Sequence, residues 1–135
     1  MYLLDTNICV YIINKHPTKI IEKISSLNLS EIKISAVTIA EMEYGASKSE
    51  NREMNRSALK RFLSPFEIIN FDAIDAEIYG IIRAELERQG KIIGPYDMQL
   101  AAQALRWDYI FVTNNIQEFQ RINGLKLENW CLTIP

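Results

Sequence analysis

Apolar and polar positions switch between two periods along this chain, and the switching predicts short strands separated by helices. Tyr2-Leu3-Leu4 is an apolar run that reads as a first strand. It meets Asp5-Thr6-Asn7, a trio suited to ending a strand and starting a helix. A helix is predicted over Ile8–Ile13, interrupted by Pro17, and a second over Thr18–Leu27. Lys33–Ser35 reads as a strand, and Ser35–Val37 leads into a helix carrying Thr38-Ile39-Ala40-Glu41. Asn51–Leu63 has helical spacing, and Phe66–Phe71, behind Pro65, alternates as a strand. A long helix runs from Asp72 or Ala73 to Gln89 and stops at Gly90. Gly94-Pro95 punctuates again, and Tyr96–Trp107 is rich in Ala and Leu, as a packed helix would be. Tyr109–Val112 is a strand ending at Thr113-Asn114-Asn115, and a last strand is predicted near Leu125–Trp130. Strands alternating with helices form βαβ units, so the fold class is α/β with a central, mainly parallel sheet.

Composition narrows the picture only slightly. The 135 residues suit one domain over 1–135, with no repeat, low-complexity stretch or linker. Hydrophobic residues are 48% and charged residues 24%, an ordinary globular balance. No apolar run approaches the roughly 20 residues of a membrane helix. The apolar start MYLLDTNICVYII lacks a basic n-region and carries Asp5 early, so a buried strand is expected there and not a signal peptide. The two cysteines, Cys9 and Cys131, make no metal-type pair and no framework of bridges, which agrees with a cytoplasmic protein and no membrane partner. A net charge of −2, from 15 basic and 17 acidic residues, argues against binding by blanket phosphate neutralisation. It leaves room for a nucleic-acid enzyme, because a bound divalent cation reverses the local field.

The placement of the acids changes the picture more. Asp5 directly follows an apolar strand, and open parallel sheets bind ligands beyond the carboxyl ends of their strands. Glu41 lies in the otherwise apolar Ser35-Ala36-Val37-Thr38-Ile39-Ala40-Glu41, where a carboxylate must face solvent or share a site with a cation. Asp97 follows Gly94-Pro95-Tyr96 and opens a helix. Each has a plain alternative: helix capping for Asp5, solvation for Glu41, the helix dipole for Asp97. Three carboxylates pointing into one cleft would repel one another unless a cation joined them. Carboxylate and water oxygens suit Mg²⁺ or Mn²⁺, whereas zinc would want His or Cys, and the single histidine, His16, sits beside Pro17.

Five blocks of residues also resemble one family. They are Met1-Tyr2-Leu3-Leu4-Asp5-Thr6-Asn7-Ile8-Cys9, Ser35–Gly45, Ile93–Ala102, Val112-Thr113-Asn114-Asn115-Ile116-Gln117-Glu118-Phe119 and Leu127-Glu128-Asn129-Trp130. In this order, over nearly the whole chain, they resemble the PIN-domain ribonucleases, and specifically the VapC toxins of bacterial toxin–antitoxin pairs. The resemblance implies a three-layer α/β/α PIN fold. It implies a metal-dependent endoribonuclease acting on structured RNA, transfer or ribosomal, with Asp5, Glu41 and Asp97 binding Mg²⁺ or Mn²⁺. It implies a supporting hydroxyl at Thr6, a small cognate antitoxin and a homodimer. The family often carries a fourth acid after the Thr of the late strand. Here Asn114 or Asn115 takes that place, and Glu118 is the nearest remaining acid.

Substrate grip is sought in Lys48, Arg52, Arg56 and Lys60, whose spacing of four would make a basic stripe on a helix, interleaved with Glu50 and Glu53. Gly45 could break the helix before it. An antitoxin groove is sought around Ile8, Val10, Tyr11 and Ile12 with Tyr44 and Phe62, against the alternative of plain core packing. Rival readings are weaker. An aspartyl-phosphate phosphatase wants a second Asp two positions after the first, where Asn7 stands. No GxGxxG follows the first strand, which disfavours a dinucleotide-binding fold. A catalytically inactive PIN-like binding module remains the alternative.

Overall fold

The structure, a computed structural model, describes residues 1–131. Five strands, β1 (Tyr2–Leu4), β2 (Ile32–Ser35), β3 (Glu67–Ile69), β4 (Ile110–Val112) and β5 (Lys126–Glu128), form one sheet in the order β3-β2-β1-β4-β5. Every pairing is parallel, with Tyr2 opposite both Ile32 and Ile110. Parallel strands cannot be joined by tight turns, so helices carry the crossovers and cover both faces. They are α1 (Thr6–Asn14), α2 (Thr18–Ser25), α3 (Ala36–Ser47), α4 (Arg52–Leu63), α5 (Ala73–Arg88), α6 (Pro95–Trp107) and the short α7 (Ile116–Phe119). No helix among the described residues is long and apolar enough to cross a membrane.

Two cores on opposite sides of the sheet make the three layers. Successive strand residues point to opposite faces. Leu3 and Phe111 accordingly join Ile82, Leu86, Met98, Leu100 and Phe119 beneath α5, α6 and α7. Leu4 and Val112 join Ile8, Cys9, Ile20, Ile24 and Trp130 on the other side. Ile8, from the suggested antitoxin groove, is therefore core, and Tyr11, Ile12 and Phe62 pack against it, while Val10 and Tyr44 are exposed.

Element positions follow the sequence pattern with small shifts. Gly45 does not break α3; the interruption falls at residues 48–51 instead. The spacing of four therefore crosses two helices: Lys48 is the C-cap of α3, and only Arg52, Arg56 and Lys60 share α4. Between β2, β3 and α6 runs a buried polar chain. Ser35 Oγ donates to Gln103 Oε1 at 2.5 Å and accepts from Val37 N, and Gln103 Nε2 donates to the Asn70 carbonyl at 3.2 Å. On the far side, Asp72 and Asp75 form a capping box at the start of α5, and Arg106 of α6 pairs with both.

Gln103 is fully buried, so a leucine there would leave the Asn70 carbonyl and the Ser35 hydroxyl short of a partner. Gln103→Leu is expected to destabilise the fold by about 1–3 kcal/mol, read from the midpoint of urea unfolding.

Candidate active site

The sheet order reverses at β1 and β4: the chain builds outward through β2 and β3, then returns to the other side of β1. Ligands in open parallel sheets gather at the carboxyl ends of the strands at such a point. Asp5 ends β1 there and Thr113 ends β4, and Thr113 Oγ1 donates to Asp5 Oδ2 at 2.8 Å across the gap. Asp5 also caps α1, accepting from Thr6 N at 2.7 Å through Oδ1. The capping role and the site role thus coexist, one carboxylate oxygen serving each.

Glu41 arrives from α3, which Ser35 caps through its hydroxyl. Thr6 Oγ1 donates to Glu41 Oε1 at 2.8 Å and lies 3.0 Å from Thr38 Oγ1. A hydroxyl has one proton to give. With that of Thr6 committed to Glu41, the buried Thr38 must donate to Thr6, and a directed chain runs Thr38 to Thr6 to Glu41. Asp97 enters from the first turn of α6, where Pro95 at the helix start suits the fixed φ of proline. A β-carbon on Gly94 would lie 3.2 Å from Asp97 Oδ2, so the glycine leaves room for that carboxylate.

Glu118 is half-buried on α7, close enough to Asp97 for its charge to act there. Asn115 caps that helix, its side chain accepting from Glu118 N at 3.4 Å while its own N–H donates to Thr113 Oγ1 at 3.0 Å. Thr113 therefore links Asp5 to the helix that carries Glu118. Asn114 is exposed and accepts from Asn129 Nδ2. The polar residues in the place of the fourth acid thus act on backbone and neighbouring amides.

Asp5, Glu41 and Glu118 all lie near enough to Asp97 for their charges to act on it. Burial pushes the Asp5 carboxyl up, the bonds from Thr113 and Thr6 pull it down, and Glu41 pushes it up again. Asp97 is pushed up to about 6 by burial, then by the charges of Asp5, Glu41 and Glu118. Among the described residues no ion pair includes any of these four acids.

A divalent cation would supply the missing charge, and the donors are the hard oxygens such an ion prefers. As placed, no three of these side chains among the described residues stand close enough to enclose one ion directly. An ion held at this spacing would keep part of its water shell, as Mg²⁺ commonly does with one or two carboxylates. Asp5, Glu41 and Asp97 are the residues that would hold it. Of the residues that matter here, Thr38 and Thr113 escape sequence reasoning. Their only signal is a hydroxyl one helical turn before Glu41 and another at the end of a strand.

Beside Glu41 two cavities open. One, of about 270 Å³, is lined by Val10, Ile13, Met42, Ala58 and Leu59 with Glu41 and Thr6. The other, of about 520 Å³, is lined by Thr6, Glu41, Tyr44, Lys48 and Tyr96. Arg52 and Lys60 are exposed on α4, and Arg56 pairs with Glu43 at 3.5 Å.

A parallel sheet with acids gathered at its switch point defines an acid-cluster α/β domain, and residues 2–125 match the family model of the PIN domain; the chain belongs to the PIN-domain family. Within it, the likeness is to the VapC ribonucleases. The chain is 49% identical to Ribonuclease VapC2 of Rickettsia felis over 131 residues, 96% of this chain and 98% of that protein. It is 42% identical to the tRNA(fMet)-specific endonuclease VapC of Shigella flexneri over 129 residues, 96% and 97% of the two chains. Among solved structures it is similar to VapBC2 from Rickettsia felis bound to a DNA fragment from their promoter, at TM-score 0.89 and 49% identity over 96% of this chain and 98% of that one. DNA-bound VapBC from Salmonella typhimurium is similar at TM-score 0.90 and 42% identity, covering 96% and 98%.

Because Asp97 holds its proton to about pH 6 in the fold and to about 3.8 as an ordinary carboxyl, its ionised form works against folding. This contribution favours the fold below about pH 4 and turns against it as pH rises through 6. Asp97→Asn is therefore expected to raise the melting temperature at pH 7.5, with the gain shrinking toward pH 4, as followed by thermal unfolding across that range without added metal.

Proposed function

We propose that this chain is a metal-dependent endoribonuclease that hydrolyses phosphodiester bonds in structured RNA, and that it is the toxin of a VapBC-type pair. The observation that carries the reading is a group of four acids without a counter-charge at the switch point of a PIN-domain sheet. Transfer RNA is the first substrate to test, since a relative at 42% identity is named for tRNA(fMet).

Asp5, Glu41 and Asp97 would hold Mg²⁺ or Mn²⁺. Such an ion, when bound, neutralises charge at the scissile phosphate and lowers the pKa of the attacking water. The chain's own groups do the rest. Thr113 and the Thr6 N–H fix the two oxygens of Asp5. The Thr38–Thr6 chain fixes Glu41, and conserving such supporting bonds keeps ligand oxygens aimed. Asn115 caps the backbone N–H of Glu118 and so sets the start of the short helix that brings this fourth acid to the site.

Partners follow the same reading. The VapBC neighbours are complexes, which supports a small antitoxin for this chain, and the apolar cavity beside Glu41 is where its segment would lie. A homodimer is supported by Ile74 and Ile81, exposed two turns apart along α5. A cytoplasmic location fits RNA as substrate.

Purified protein is expected to cut total cellular RNA into discrete fragments with Mg²⁺ or Mn²⁺. EDTA or Asp5→Asn should abolish the cutting, and sequencing the fragment ends names the target. Intact RNA at every metal concentration, from folded protein free of antitoxin, would instead favour an inactive binding module.

Arg52, Arg56 and Lys60 on α4, with Lys48 at the end of α3, are proposed to contact phosphates outside the acid cluster. Replacing Arg52 and Arg56 together by Gln is expected to weaken RNA binding and to flatten the slope of log affinity against log salt by roughly 1–2. A salt series on the Asp5→Asn background checks this, and an unchanged slope would refute the contact.

A further inference from the structure

The larger cavity beside Glu41 has walls that a metal site alone does not require. Tyr44 and Tyr96 both line it, 66% and 54% exposed. Tyr44 comes from α3, three residues after Glu41, and Tyr96 from α6, one residue before Asp97. Each aromatic ring is thus placed by the helix that carries a site acid. Lys48 Nζ lies 4.8 Å from the centre of the Tyr44 ring, which holds a cation at the same wall. The cavity, at about 520 Å³, falls within the range of small-ligand sites.

Gly45 adds an independent sign. It lies inside α3, where glycine weakens a helix, and it lines both cavities. A β-carbon there would meet nothing within 4 Å, so neither packing nor backbone geometry asks for glycine. Its effect is to keep the cavity wall flat beside Glu41.

We infer that the cavity lined by Tyr44 and Tyr96 is a subsite for one unstacked nucleobase next to the scissile phosphate. Tyr96 offers the stacking face, and Lys48 at the Tyr44 wall takes the adjoining phosphate. This inference rests on the ribonuclease reading of the acid cluster. Aromatic faces stack any base by its π surface, and an amine beside them neutralises the backbone, the combination that single-stranded nucleic acid selects. A duplex keeps its bases stacked inside and cannot fill the space, so the subsite restricts cutting to loops, bulges and ends of a folded RNA. An apolar protein segment is the poorer occupant here, because the lining carries the charged Glu41 and Lys48 beside the two aromatic residues. The neighbouring apolar cavity meets that need better.

The test measures binding, so that it survives a failure of catalysis. The full chain carrying Asp5→Asn is titrated, with Ca²⁺ present, against a short fluorescein-labelled single-stranded RNA and the same sequence closed into a duplex. Single strand is expected to bind, and Tyr96→Leu is expected to weaken it on the order of tenfold. Tyr96→Trp should bind as the parent does. Gly45→Leu should keep or raise the melting temperature while weakening single-strand binding, a pairing that general damage to the fold does not produce. The duplex should bind weakly and ignore all three changes. Equal binding by Tyr96→Leu and parent would overturn the subsite, as would equal loss of single strand and duplex. If Tyr96→Leu spares RNA yet abolishes capture of the cognate antitoxin, the face belongs to a protein and the inference falls. If total RNA is never cut by the wild-type chain but these binding differences hold, the ribonuclease reading fails and the base-binding subsite stands.

Discussion

Like charges crowded at a half-buried point, held in place but not cancelled, are the constraint on which the rest of this molecule turns. Asp5, Glu41, Asp97 and Glu118 come from four different places in the chain and meet at the reversal of the strand order. The groups that position them are neutral: Thr113 and a backbone N–H on Asp5, Thr6 on Glu41. The choice of neutral donors is physically consequential. A lysine or arginine in the same places would relieve the repulsion, drop the raised Asp97 carboxyl, and remove any reason for an ion to enter. Hydroxyls hold the oxygens in position while leaving the field for a cation.

The sheet order makes that arrangement possible. With β1 central and neighbours added on both sides, the loops after β1 and β4 diverge, one toward α1 and the other toward α7. Where they part, Asp5 is tied to the end of β4 twice, its N–H donating to the Val112 carbonyl and its carboxylate accepting from Thr113. Residues 108 positions apart thereby fix the relative placement of Asp5 and of the helix carrying Glu118, through Asn115. Gln103 does a similar service on the other side, tying α6, which carries Asp97, to the strand end that launches α3 and Glu41.

Much of this was legible from residues alone, for reasons that differ by feature. Buried parallel strands and amphipathic helices have different periods, so the alternation of elements could be read from the pattern, and Asp5 announced itself by following an apolar run. The likeness of five ordered blocks pointed to Asp5, Glu41 and Asp97 together, and the fold brings all three to one region. What escaped reading was partner choice. Nothing local to Thr38 or Thr113 says which oxygen each will meet, because the partner lies 32 or 108 residues away. The four-residue α7 is too short to show a helical period. The basic stripe was misjudged in extent for the opposite reason: a spacing of four persists through residues 48–51, where the helix itself does not. Asn115, which stands with Asn114 in the place of a fourth acid, is also a helix cap, a role that an amide fills as readily as an acid.

Costs to stability are also unevenly distributed, and their distribution argues for function at one end of the sheet. At the start of α5 the local chemistry is close to what stability alone would select: a complete capping box, acids at the positive end of the helix dipole, and Arg106 pairing both. The Asp72 carboxyl is held at about 2 there, first by Arg106. Around Glu41 and Asp97, on α3 and α6, the opposite choices recur. An acid is pushed up to about 6, a glycine sits inside α3 at a cost of about 0.5–1 kcal/mol relative to alanine, and two tyrosines face solvent. Sequence shaped only for folding would remove each of these with a single substitution. Their concentration close to Glu41 and Asp97 marks that end of the sheet as the part of the fold not shaped for stability alone, and a cation there would relieve the repulsion among the acids.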